Sequence, residues 1–262
     1  FKCLQDALSK FEHAKTFGSL ICMDAPEKAY AELKTELEQL LQTGDTLQKG
    51  AIKKLLPLLN QAIFLAKQYD AVIANPPYMG NKYLNPNLKK YLKDNYDGFE
   101  KDLFSAFMIR NLDFCSASGQ LGFMSPFVWM FISSYENLRT HFIDHAAISS
   151  LIQLEYSGFD GATVPICTFT LAKTHITDFI GSYIRLSDFK GSENQAPKTL
   201  EAIQNPNCGW FFNAKSDDFK KIPGSPIAYW VSAKVVLAFD NGTLLGKISI
   251  PRQGNTTTNN GK

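Results

Sequence analysis

The stretch Asn75-Pro76-Pro77-Tyr78 carries the residue types best suited to chemistry. It follows a short apolar run, residues 71–74 (Ala, Val, Ile, Ala), which reads as a buried strand. Two consecutive prolines end that strand, because neither can donate to a sheet ladder. Each also biases the residue before it toward extended dihedrals, so the backbone from Asn75 to Pro77 is stiff. A stiff turn at the carboxyl end of a strand is where open α/β sheets place their ligands. This one offers an amide, proline carbonyls and a large ring, which suit a flat, polar-edged ligand such as a nucleobase. The exocyclic amine of adenine is a poor nucleophile, because its lone pair is delocalised into the ring. Two acceptors aimed at its hydrogens, the Asn75 side-chain oxygen and the Pro76 carbonyl, favour a more tetrahedral nitrogen. Tyr78 can stack on the base face. A methyl sulfonium aligned behind that nitrogen would complete an in-line transfer, with no strongly shifted general base needed before attack.

The elements that must hold this turn follow from periodicity and punctuation. Residues 1–17 fit a helix, and residues 18–23 a short strand or extended connector. Pro26 and Glu27 open an amphipathic helix with Tyr30, Leu33, Leu37, Leu40 and Leu41 on its apolar side. Thr43-Gly44-Asp45 breaks it, and a second helix follows with Pro57 inside. The pair reads as a helical hairpin packed on a sheet, or as a coiled-coil partner site. Residues 79–95 form a Lys-rich stretch, with Lys82, Lys89, Lys90 and Lys93 interleaved with Tyr83 and Tyr91 ahead of Tyr96. It is either a solvated surface helix or a lip that contacts phosphates beside the turn. Residues 102–115 read as a helix with Leu103, Phe104, Phe107, Met108 and Leu112 on one side, 116–119 as a turn, and 120–126 as a strand ending in proline. A helix near 134–143 and strands at 148–154 and 168–172 complete an α/β pattern with crossovers. After Lys173 the composition turns to Ser, Asn, Pro and Gly. A boundary near 180 gives two parts, 1–180 and 181–262. Within the second, Trp210-Phe211-Phe212 is a candidate strand and residues 227–239 a candidate helix.

The 262 residues carry a net charge of +2, too small to argue for nucleic acid unless basic surface is local. Five scattered cysteines lack metal-ligand spacing and read as reduced packing residues of a cytoplasmic protein. His141 and His145, four apart on a helix, have no carboxylate pattern around them and read as structural. No apolar run reaches membrane-spanning length, so no membrane partner is expected.

The turn and its flanks resemble the gamma class of adenine-specific DNA methyltransferases that use S-adenosylmethionine. They are most similar to those of BREX phage defence and of single-chain restriction-modification enzymes. The likeness rests on Tyr69-Asp70-Ala71-Val72-Ile73-Ala74-Asn75-Pro76-Pro77-Tyr78, on Lys101-Asp102-Leu103-Phe104, and on Gly119-Gln120-Leu121-Gly122-Phe123. It continues through Phe159-Asp160-Gly161 and Lys221-Ile222-Pro223-Gly224-Ser225-Pro226-Ile227-Ala228-Tyr229-Trp230. The resemblance implies the carboxyl-terminal half of a Rossmann-like methyltransferase sheet with helices on both faces, then a linker toward a target-recognition domain. It implies S-adenosyl-L-methionine as cofactor, double-stranded DNA as substrate and other phage-defence proteins as possible partners. Asn75, Pro76, Pro77 and Tyr78 would form the catalytic clamp. Phe159 would support the flipped base, and Lys82 would touch the substrate. Asn75, Phe107 and Asp102 would face the cofactor, although Asp102 is equally suited to begin a helix.

One part of the pattern is missing. These enzymes hold the methionine moiety in a Gly-rich loop after the first strand, with an acidic residue after the second. Gly18-Ser19 is not such a loop. The resemblance therefore places the first half of the catalytic domain upstream of Phe1, and little or no activity is expected from this chain alone. Two other readings stay open: methylation of protein glutamine, which Asn-Pro-Pro-Tyr also serves, and a catalytically inactive fragment that binds DNA or a partner.

Overall fold

The computed structural model describes residues 2–156, 158, 164–243 and 245–250. The amino-terminal region is helical: α1 (Lys2–Lys10), α2 (Ala14–Phe17), α3 (Glu27–Thr43) and α4 (Thr46–Ala66). Asp45 starts α4 with a reciprocal cap. Its carboxylate accepts from the Gln48 amide at 2.8 Å, and the Gln48 side chain accepts from the Asp45 amide at 3.0 Å. Pro57 is accommodated inside α4. The expected hairpin exists but does not lie on the sheet. With α1 it builds a separate small core around Ala7, Tyr30, Leu59 and Ala62. Buried Arg110, which donates to the Leu65 carbonyl, and the Tyr69 hydroxyl, which donates to the Phe64 carbonyl, are among its links to the rest.

The remaining elements alternate. They are β1 (Tyr69–Ala74), α5 (Pro86–Asn95), α6 (Leu103–Phe114), β2 (Cys115–Pro126), α7 (Glu136–His145), β3 (Ala147–Gln153) and β4 (Ile166–Ala172). Then come β5 (Ile180–Arg185), α8 (Ser192–Gln204), β6 (Phe211–Lys215), α9 (Ala233–Asn241) and α10 (Leu245–Ile248). The six strands make one mixed sheet in the order β1-β2-β4-β3-β5-β6. β1 runs parallel to β2 and β3 parallel to β5, while β4 returns antiparallel between β2 and β3. The sheet therefore crosses the expected boundary at residue 180, since β5 and β6 belong to it. β2 begins at Cys115, so residues 116–119 are strand rather than turn. The register shifts there, between Tyr69 and Ala71, where a Cβ on Gly119 would sit 2.9 Å from the Tyr69 carbonyl.

Alternation along the strands separates the two faces. Leu121, Phe123, Leu151, Cys167, Phe169, Leu171 and Tyr183 are buried in the main core with Phe104 and Met108 of α6 and Phe142 of α7. The other face carries Met124, Ile152 and Thr168, partly roofed by Gln195, Thr199 and Leu200 of α8. Helices thus lie on both faces. The expectation that residues 71–74 are buried fails. β1 is an edge strand, Asp70 and Ala71 are exposed, and Ile73 is 87% exposed. The reason is the strand order: only β2 pairs with β1, and none of the described elements covers the Ile73 side.

Candidate active site

Asn75-Pro76-Pro77-Tyr78 leaves β1 at the carboxyl end of the sheet, where β2, β3 and β5 also end. The Tyr78 hydroxyl donates to Asn75 Oδ1 at 2.9 Å. Asn75 and Pro77 are exposed, Pro76 is buried and Tyr78 is half-buried. The Pro76 carbonyl accepts no hydrogen bond from the described residues. The Tyr78 ring meets Phe104 edge-on at 6.5 Å, which fixes its plane from below. Burial raises the Tyr78 hydroxyl above its ordinary pKa, so it stays protonated as a donor.

The turn is pinned from the far side by the start of α6. Asp102 caps that helix by accepting from the Phe104 amide at 3.2 Å, and the same carboxylate oxygen accepts from the Met79 amide at 3.0 Å. The Leu103 amide donates to the Met79 carbonyl at 3.0 Å, and Asn81 N donates to the Lys101 carbonyl at 3.1 Å. Asp102 is therefore both a helix cap and a strap on the turn. Burial pushes its carboxyl up, against the hydrogen bonds that lower it. Sequence reasoning offered capping or cofactor contact; the strap to Met79 needed the tertiary fold.

Phe107 is half-buried on a helix whose other residues are all buried except Asp113. An aromatic left partly open at that place suits stacking on a flat ring. Among the described residues no strand runs into a Gly-rich loop that would cradle the rest of a methyl donor. Gly18 sits between short helices with φ of +54°. Of the three residues expected to face S-adenosyl-L-methionine, Phe107 also packs against the main core, and no glycine-rich cradle stands beside it among the described residues.

The Lys-rich stretch resolves into a surface helix with an inner side. Asn85 caps α5 with Pro86 at its first position, Leu88 and Leu92 are buried, and Lys89, Lys90 and Lys93 are exposed. Tyr91 and Tyr96 point inward and donate to the Leu20 carbonyl at 3.0 and 2.7 Å. Lys82 is exposed, with its Nζ 4.7 Å above the Tyr83 ring. Phe159 lies outside the described residues. His141 and His145 stand side by side, ring centroids 4.7 Å apart. Among the described residues no group of three or more His, Cys, Asp or Glu side chains is placed to hold a metal.

Two features beneath and beside the turn were not read from the sequence. Cys167, its thiol pushed up to about 12 by burial, lies with Ser125 and Trp129 under the site. Buried Arg139 ties residues 224–225 to the loop after β2, and from there the chain returns to place Tyr229 and Trp230 on the carboxyl edge. The Arg139 guanidinium donates to the carbonyls of Trp129, Ile132, Gly224 and Ser225 at 2.6–3.1 Å. The signal for it was a lone arginine inside a helix of otherwise mixed polarity, which is too weak to read.

The sequence comparisons place the chain in the methylase class. More narrowly, the chain belongs to the Eco57I restriction-modification methylase family, whose family model matches residues 9–159. It is 36% identical over 245 residues to the adenine-specific methyltransferase BrxX of Escherichia coli O9:H4 (strain HS), covering 91% of this chain and 20% of that protein. It is 32% identical over 265 residues to the adenine-specific methyltransferase PglX of Lacticaseibacillus casei (strain Zhang), covering 98% of this chain and 22% of that protein. The chain thus spans about a fifth of the length of these curated relatives. Among solved structures, a nuclease-deletion mutant of the Type ISP restriction-modification enzyme LlaGI with a DNA substrate mimic aligns with a TM-score of 0.48 and 15% identity. That alignment covers 68% of this chain and 16% of that one. Among the described residues, no helix is long and apolar enough to cross a membrane.

Proposed function

We propose that this chain is the target-amine clamp of a site-specific DNA adenine-N6 methyltransferase in a phage-defence or restriction-modification system. The observation that carries the reading is the Asn75–Tyr78 pair on a turn strapped to α6, beside a proline carbonyl with no donor among the described residues. An amide oxygen has two lone pairs, so Asn75 Oδ1 can keep the Tyr78 hydroxyl and accept one amine hydrogen. The Pro76 carbonyl accepts the other. Held this way, the N6 lone pair is drawn out of conjugation, and the proton leaves only after the nitrogen is alkylated. S-adenosyl-L-methionine would supply an electrophilic methyl carbon on a sulfonium. Stacking on Tyr78 would partly offset the few kcal/mol needed to extrude the base from duplex DNA. Phe159 and Lys82 are assigned to the base and to the flanking substrate, and Phe107 to the cofactor ring.

The test is Asn75→Ala in the full-length methyltransferase that contains this chain. Loss of one preorganised acceptor should lower adenine methylation of duplex DNA about a hundredfold or more, with the protein still folded. Methylation unchanged within a factor of three would remove Asn75 from the clamp and the reading with it.

A further inference from the structure

The described residues include three of the chain's four arginines, and these divide two to one. Arg110 and Arg139 are each held by three or more backbone carbonyls. Arg110 donates to Ser19, Ile21 and Leu65 at 2.7–3.0 Å, and Arg139 to the four carbonyls already described. Arg185, the last residue of β5, is different. Its guanidinium carbon lies 4.8 Å from the centroid of the Trp230 ring. Its Nε is buried and has no hydrogen-bond partner. None of the ion pairs among the described residues includes it. A planar cation with five donors, held over an indole and given no acceptor among the described residues, is preorganised for an anion.

Its place in the fold says which anion. Arg185 is the register partner of Gln153, at the same end of the sheet as the clamp turn. The Tyr229 hydroxyl donates to Gln153 Oε1 at 2.8 Å, which seats residues 229–230 on that edge. Trp230 in turn meets Phe131, in the loop after β2, at 5.5 Å. An aromatic ridge therefore runs along the carboxyl edge from the loop beside the clamp to Arg185. Four inter-strand steps of about 4.8 Å separate β1 from β5, roughly 19 Å in all. At about 3.4 Å per nucleotide along one strand, that is the rise of five to six base pairs. Arg185 is too far to touch an extruded adenine and lies where flanking duplex would pass.

We propose that Arg185, held by Trp230, is a phosphodiester contact for duplex DNA five to six base pairs from the adenine in the clamp. The assignment rests on the DNA-adenine reading above. It makes Arg185 a positioning residue that sets the duplex across the sheet edge and leaves base chemistry to Asn75 and Tyr78.

The experiment uses the full-length methyltransferase and duplex binding measured by fluorescence anisotropy across a range of salt. Arg185→Gln should weaken binding about tenfold and reduce the slope of log affinity against log salt by about one. Arg185→Lys should keep the slope, because it keeps the charge. A scan of duplexes carrying one neutral methylphosphonate supplies the independent measure. Wild-type protein should lose affinity at one phosphate four to seven steps from the target adenine, and Arg185→Gln should be indifferent at that phosphate. An unchanged slope in Arg185→Gln, or a scan with no sensitive phosphate in that window, overturns the proposal while leaving the clamp standing. If Arg185→Gln does not fold, the wild-type scan decides alone. Wild-type protein that fails to bind duplex overturns both readings.

Discussion

Arg110 and Arg139 do the same physical work on two flanks of the sheet, with different consequences. Each is a buried cation without a carboxylate partner in hydrogen-bond reach, satisfied by main-chain carbonyls. Burial lowers the pKa of Arg139, and the nearby Glu136 charge opposes that shift. Arg110 also stacks on Phe114, at 3.8 Å. What differs is the cargo. Arg110 holds residues 19 and 21, which flank Leu20 of the main core, and the end of α4, which belongs to a helical arm with its own core. Arg139 holds residues 224–225, and the neighbouring Ile227 and Tyr229 are part of the main core. The first ties a separate small core to the main one. The second lies within the main core.

That contrast sets an order of effects. Arg139→Met should be the most damaging, because it leaves the carbonyls of Trp129, Gly224 and Ser225 without a donor at the edge of the main core. We expect a loss of about 3–5 kcal/mol of global stability in urea unfolding followed by tryptophan fluorescence. A loss below about 1 kcal/mol would show that residues 224–225 are held by something else. Arg110→Met should cost less, roughly 2–3 kcal/mol, and the cost should be local. Hydrogen exchange should speed up in α1, α3 and α4 while β2, β4 and β3 keep their protection. Uniform acceleration over arm and sheet would erase the distinction between the two clamps. Asp102→Ala, which touches neither clamp, should cost about 1 kcal/mol as a lost helix cap. It should also free the Met79 amide and loosen the turn, lowering methylation by the full-length enzyme about tenfold, with Asp102→Asn restoring most of it. Full methylation by Asp102→Ala would make the strap irrelevant to the site.

Much of the local structure was legible. The Asn75–Tyr78 turn, the helix break at residues 43–45 and the strands at β3 and β4 are written in neighbouring residues, and they stand as read within a residue or two at the ends. Residues 116–119 read as a turn; they fall inside β2, where they form the register shift between the Cys115 and Gln120 pairings and have no partners in β1. The expected helix over 227–239 starts only at Ala233, because the Ile227 amide is drawn off to the Met130 carbonyl at 3.0 Å. The tyrosines among the lysines at 83–96 could not be sorted by type. Tyr91 and Tyr96 turn inward because the Leu20 carbonyl, more than seventy residues earlier, needs donors.

The sequence by itself determined the stiff Asn75–Tyr78 turn and most of the helix and strand segments around it, because proline geometry and periodicity act over a few residues. Only the tertiary structure decided that β1 is an exposed edge, that Asp102 straps the turn, and that the side chains of two arginines are held by main-chain carbonyls while that of Arg185 is not. Those outcomes depend on which carbonyls and rings come within reach across tens of residues, for Arg110 and Arg139 up to 91 positions along the chain. Composition and local spacing carry no record of such distances.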